Sequence, residues 1–305
     1  MMNKNKNKNE NTIENKNENK NENINRHKKK SWRKILLLLV FLLGALIFFY
    51  PFISQKYYEI KANNVITNYQ KEVAKLDDAE MSEKLRLSEA YNSLLQPSYL
   101  SDPFSEKEID QGVKNYAQML TINEQIGYIE IPKINQKLPL YIGTSDRVLQ
   151  KGVGHLEGTS LPVGGNNTHT VLTAHSGLPE AVLFTALDKM EIGDEFYIHV
   201  LNRTIAYKTD QIITVEPSDF TPVSVVPDKD YATLLTCTPY MINSHRLLVR
   251  GERIPYAESG TTKPVVAEEN DRYLLFVFIP LIILFLILFL WHKRKKQKIR
   301  QKNGN

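Results

Sequence analysis

Two uninterrupted apolar runs, Ile35–Ile53 and Tyr273–Trp291, restrict this chain more than anything else in it. Each is 19 residues long, about 28 Å as helix and close to the hydrocarbon thickness of a bilayer. Both are apolar on every face, which excludes an ordinary amphipathic core helix. Pro280 inside the second is tolerable in a membrane helix. The end of the first run, Tyr50-Pro51-Phe52-Ile53-Ser54, lacks the small-x-small cleavage site of a secretory signal. Both runs are therefore expected to cross a membrane.

Charge gives the orientation. The formal net charge is +5, and its excess is concentrated beside the apolar runs. Arg26, Lys28, Lys29, Lys30, Arg33 and Lys34 precede the first run; Lys293, Arg294, Lys295, Lys296, Lys298 and Arg300 follow the second. By the positive-inside rule both termini are cytoplasmic, and residues 54–272 lie outside. Basic residues flanking apolar spans do not form the basic folded face of a nucleic-acid reader, so nucleic acid is not expected as a partner. Residues 1–34, rich in Asn, Lys and Glu, have too little apolar surface to offset ordering entropy and are expected to be disordered.

The outer region divides in two. Val65, Tyr69, Val73 and Leu76, then Leu87, Tyr91, Leu94 and Leu95, repeat at helical spacing, with a break near Asp77-Asp78. Two amphipathic helices are expected, closed by Gln96-Pro97. From Ile126 on, short runs rich in Val, Ile, Thr and Tyr alternate with turn residues. Strands are expected at Gly127–Ile131, Leu138–Ile142, Thr170–Ala174, Glu195–Leu201, Ile205–Val215, Ala232–Cys237 and Arg246–Glu252, with a turn at Asn202-Arg203 and a helical turn or two in Ala181–Met190. This pattern points to a mainly β sandwich or closed barrel. The expected organisation is a cytoplasmic tail (1–34), a span (35–53), a helical region (54–125), a β domain (126–256), a linker (257–272), a second span (273–291) and a basic tail (292–305).

Cys237 is the only cysteine, so an intramolecular disulfide and a cysteine-rich metal site are excluded. It closes the apolar run Tyr231–Cys237 just before Thr238-Pro239, a rim position rather than a core one. His175 likewise ends the run Val171–Ala174, and Arg246 opens the strand after the cysteine. A thiol, an imidazole and a guanidinium together suit acyl transfer. The thiolate is the nucleophile, histidine moves protons, and the permanently charged arginine stabilises a developing oxyanion. Spacing alone does not bring the three together. Among the seven histidines, His155 in a Gly-rich turn and His245 beside Arg246 are the rivals, and Arg250 and Arg253 compete with Arg246. Glu191, Asp194 and Glu195 read as a solvated turn; no metal and no cofactor are expected.

Thr233-Leu234-Leu235-Thr236-Cys237, with Arg246 nine residues on and Thr173-Ala174-His175-Ser176-Gly177 upstream, resembles the sortase family over most of residues 126–254. The resemblance implies an eight-stranded β-barrel, a catalytic trio of Cys237, His175 and Arg246, and Thr236 as a substrate-positioning residue. It also implies surface-protein substrates bearing a Leu-Pro-x-Thr-Gly-like sorting signal, cut after the Thr. Ser101-Asp102-Pro103-Phe104 and Gly154–Pro162 are similar to the pilin-polymerising class C sortases. In that class Asp102, Pro103 and Phe104 would form a lid (101–105) over the thiol, and the acyl group would pass to a pilin lysine. Attachment of surface proteins to cell-wall amines, and a non-catalytic double-anchored surface module, are the alternatives the sequence leaves open.

Overall fold

A computed structural model describes residues 4–95 and 119–256, with side chains from residue 36 onward. The lid 101–105, the linker 257–272, the second apolar run and the basic C-terminal tail lie outside the described residues. The chain divides into two compact units between Ile53 and Ser54.

In the first unit the backbone is helical. Helix α1 covers Lys4–Val73, so the Asn/Lys-rich tail is helix where none was expected. Lys and Glu are good helix formers, and an existing helix extends at little cost per residue. From Leu36 on, α1 is long and apolar enough to cross a membrane. Leu37, Phe41, Leu46, Phe48 and Phe52 are each more than half exposed, as suits side chains solvated by lipid.

The second unit is a closed eight-stranded barrel with helices against it. Its strands are β1 (Gln125–Ile131), β2 (Gln136–Ile142), β3 (Val153–His155), β4 (Thr168–Thr173), β5 (Glu195–Val200), β6 (Arg203–Val215), β7 (Asp230–Thr238) and β8 (His245–Ile254). They close in the order β1-β2-β3-β4-β7-β8-β6-β5. Seven of the eight match the expected runs to within a few residues. The eighth, β3, has only three residues and no readable period. It pairs closely because Gly154 lacks a side chain: a Cβ there would lie 2.4 Å from the Gly143 carbonyl oxygen. The β5–β6 turn sits one residue earlier than expected, with Val200 opposite Arg203 and Leu201 at φ 52°. Ala181–Met190 supplies a single 3-10 turn, Leu187–Lys189.

The barrel interior is apolar, with Ile129, Ile131, Leu140, Leu172, Leu234 and Val249 in one cluster. A second cluster joins Leu156, Val171, Leu235 and Leu248 to Val223 and Phe220. Alternation along β4, β7 and β8 puts this second set on the outer face. Both faces of β4 and β7 are thus buried, so even their polar residues, such as His169, Thr170, Thr233 and Thr236, lie inside the protein.

The helices are fastened by polar contacts as well as by packing. On α1 the buried residues are Ala62, Ile66, Tyr69 and Val73; Tyr69 and Val73 are inside as expected, while Ile66 rather than Val65 completes the face. Tyr69 Oη donates to Ile126 O (2.9 Å) and accepts from Leu201 N (2.9 Å), joining α1 to β1 and to the β5–β6 turn. Helix α2 covers Asp78–Leu94, capped by Asp77, whose side chain accepts from Glu80 N. Its buried face is Leu85, Ser88 and Asn92, while Leu87 and Leu94, expected to be inside, are exposed. The polar anchor decides that face: Asn92 pairs with both the N–H (2.7 Å) and the carbonyl (3.1 Å) of Leu161.

Tyr69→Phe keeps the ring and removes the bridge, leaving Ile126 O and Leu201 N unpaired. Urea unfolding of residues 54–272 is expected to show a loss of about 1–3 kcal/mol at unchanged m-value.

Candidate functional site

Cys237 and Arg246 are directly opposite each other on β7 and β8. Strands β4 and β7 run parallel, with Thr173 beside Leu235. Two residues further along that register, His175 falls beside Cys237. The three residues therefore form one row across β4, β7 and β8, at strand spacings of about 4.8 Å. The row shares the outer face with Val171, Leu235 and Leu248. The second apolar cluster thus forms its floor, and the thiol is not buried in the barrel interior.

Local bonds fix each member. Ala174 N donates to Leu235 O (3.2 Å), and Thr236 Oγ1 donates to Ala174 O (2.7 Å), tying the residue before His175 to β7. The His175 carbonyl accepts from Phe184 N (3.2 Å), and Thr185 Oγ1 accepts from Gly177 N (3.0 Å), so the following loop folds back on itself. Arg246 Nη1 donates to Asn243 O (3.1 Å) and His245 O (2.9 Å), which holds the guanidinium against the β7–β8 turn. Cys237 and Arg246 are each only 7% exposed. Burial pushes the His175 pKa below its ordinary value, partly opposed by the Asp146 carboxylate, so the ring is neutral at pH 7.

Such a row can run acyl transfer: a thiol flanked on one side by a neutral base and on the other by a fixed cation. The comparisons agree. The sortase-domain family matches residues 129–254. Streptococcus pneumoniae sortase C is 58% identical, over 63% of this chain and 97% of that one, with a TM-score of 0.60. The chain belongs to the sortase family. A pilus-related sortase C of Group B Streptococcus is 53% identical over 62% of this chain and 97% of its own, with a TM-score of 0.59. Sortase D of Bacillus subtilis is more distant, 26% identical over 183 residues, 59% of this chain and 88% of that one. Like its family, this sortase is a cysteine transpeptidase, and the likeness within the family is to sortase C.

The rivals are occupied elsewhere. His155 is fully buried, with Nε2 2.9 Å from the Ser160 carbonyl. His245 is opposite Thr238, hence on the other face from Cys237, and sits 3.2 Å from Glu216. Arg250 makes a two-point contact with Asp210 and stacks 4.2 Å from the Tyr231 ring centroid. Arg253 binds Asp230. Lys133 bridges Glu191 and Asp194, placing an ammonium in that acidic turn.

Thr236 is on the opposite face from Cys237 and buried. Its hydroxyl holds Ala174, so any influence on substrate passes through the backbone before His175. A further histidine, His169, bears on the site although its sequence context did not single it out. It is buried on β4 on the same face as His175, with Nδ1 2.9 Å from Ser224 O and Nε2 2.7 Å from Thr233 Oγ1. The carbonyl can only accept, so Nδ1 carries the proton and Nε2 accepts from Thr233. His169 thereby fastens the β6–β7 loop over the outer face. Its even spacing from His175 was the available signal.

Two cavities flank this region, and neither is lined by the row. A cleft of about 1000 Å³ lies between Asn92, Thr159, His169, Phe220 and Val223. A smaller one of about 450 Å³ surrounds Asp230, Arg253 and Tyr256.

Burial holds His155 and His169 down to about 4, against 6.5 in the unfolded chain. The folded state then binds fewer protons, so stability is full above about 6.5 and falls as pH drops from there to about 4. Urea unfolding across that window is expected to show a loss of several kcal/mol. Replacing both histidines with Gln is expected to flatten the slope.

Proposed function

We propose that this sortase cleaves a Leu-Pro-x-Thr-Gly-like sorting signal after the Thr and passes the acyl group to a lysine amine of a pilin subunit. The single observation supporting this reading is the row of His175, Cys237 and Arg246 on one barrel face. Its floor is apolar, which suits the Leu-Pro end of such a signal. In the first half-reaction the Cys237 thiol gives its proton to neutral His175 and attacks the Thr carbonyl carbon. Arg246 stabilises the negative charge that develops on that oxygen. The C–N bond then breaks, His175 protonates the leaving amine, and a thioester remains. In the second half-reaction the incoming amine gives a proton to His175 and displaces the thiolate, which recovers that proton.

Asp102, Pro103 and Phe104 are proposed as a lid on the sequence resemblance alone. Thr236 is proposed to act by holding His175 in place. The apolar part of α1 is proposed to anchor the domain outside the cytoplasmic membrane, with Tyr273–Trp291 as a second span. The similarity to sortase C structures favours a pilin lysine over a cell-wall amine as acceptor.

Intact-mass spectrometry tests the chemistry. Residues 54–272 are mixed with a sorting-signal peptide. The expected product is an adduct of the acyl half, absent in Cys237→Ala and reduced at least tenfold in formation rate in Arg246→Ala, about 1.4 kcal/mol of barrier. No adduct with several signal variants would refute the proposed substrate. Asp102→Ala with Phe104→Ala is expected to speed thiol alkylation by a small reagent; an unchanged rate would remove the lid.

A further inference from the structure

The β7–β8 turn exposes three consecutive large apolar residues, Tyr240 (59%), Met241 (73%) and Ile242 (70%). They follow Cys237 by three to five residues and form the most exposed apolar cluster on the described part of the barrel. The turn is internally braced. Pro239 O accepts from both Ile242 N (3.0 Å) and Asn243 N (2.9 Å), with Met241 and Asn243 at positive φ. The tip is thus a formed apolar knob, with the Asn243 carbonyl at its base held by Arg246.

What this knob meets follows from where the chain enters the second unit. Ser54 is the first residue after the apolar run, and its Oγ donates to Pro179 O (3.3 Å) in the loop that follows His175. Gly177 of the same loop lies against the Tyr240 ring; a Cβ there would be 3.1 Å from it. One turn further along α1, Tyr58 Oη donates to Lys151 O (2.7 Å), so this end of the helix is bound to the barrel at two points. Pro179 and Gly177 are two residues apart, so these contacts tie the Tyr240 ring to Ser54, the first residue of the second unit, over roughly 20 Å at most. The headgroup layer outside the hydrocarbon is itself about 5–8 Å deep. Tyr57, 69% exposed and just beyond Ile53, has the amphipathic ring that membrane interfaces favour. An aromatic and two flexible aliphatic side chains, exposed together, suit the boundary between headgroups and acyl chains.

We propose that Tyr240, Met241 and Ile242 dock into the outer leaflet of the membrane that α1 anchors, holding the row of His175, Cys237 and Arg246 at the bilayer surface. The proposal rests on the reading of α1 as a membrane span. Docking would fix the barrel's tilt as well as its tether, and would present the row to substrates that are still membrane-embedded.

Spin labels on the full-length chain, in a Cys237→Ala background and reconstituted in vesicles of phosphatidylglycerol and phosphatidylethanolamine, provide the test. Labels are placed singly at Ile242→Cys and Tyr240→Cys on the knob, at Val40→Cys in α1, and at Asn202→Cys on the β5–β6 turn. The ratio of accessibility to oxygen over a water-soluble nickel chelate is expected to be several-fold higher on the knob than at Asn202. If the knob ratios equal that of Asn202 while Val40 is lipid-like, docking is refuted and the anchor stands. A water-like Val40 would instead refute the anchor reading. Knob labels that become shielded only when a sorting-signal protein is added would overturn the membrane as occupant in favour of a protein.

Discussion

The parallel pairing of β4 with β7 is the constraint on which the site depends. Its register decides which side chains enter the barrel and which look outward, and a slip of one residue would exchange the two sets. With Thr173 beside Leu235, the interior receives Leu172 and Leu234, while Val171, Leu235 and then His175 and Cys237 share the outer face. Two threonines lock this register from opposite sides of the sheet. Thr236 holds the Ala174 carbonyl on the inner side, and Thr233 meets His169 on the outer. The Thr-Leu-Leu-Thr-Cys motif is thus as much a registration device as a setting for the thiol.

The helices are tied into the same framework through backbone groups. Tyr69 connects α1 to β1 and the β5–β6 turn, and Asn92 connects α2 to Leu161. The neighbouring Ser160 accepts the His169 N–H on its hydroxyl and donates its own N–H to the His169 carbonyl. A displacement of α2 therefore has a continuous hydrogen-bonded route to β4, the strand that leads to His175.

Much of this was legible in the sequence, for physical reasons that differ by element. Strands β4 and β7 stood out because their Thr, Val and Leu residues favour extended backbone and turn residues bound them. Cys237, His175 and Arg246 stood out because each sits at a strand end. Their assembly into one row did not, because pairing order and register are tertiary facts. β3 escaped because three residues carry no period, and its pairing is licensed by the missing side chain of Gly154. The buried face of α2 was misjudged because an asparagine, not a leucine, marks it. His169 was passed over because its hydrogen-bond partners, Ser224 and Thr233, are distant in sequence.

A closed barrel also limits how a polypeptide can be recognised. An open sheet edge can capture an extended peptide by strand addition, with main-chain bonds supplying affinity for almost any sequence. Here β4 lies between β3 and β7, and where the short β3 ends, Leu156 N and Ser160 N continue the pairing to Val171 O and His169 O. Nearer the row, β3 pairs with β4 as far as Thr173, and β6 pairs with β8 up to Arg246. A peptide laid across this face gains little generic backbone affinity and must be read mainly through its side chains and by the loops that overhang it. Selectivity for a short motif is therefore a consequence of the architecture itself, before any individual contact is considered.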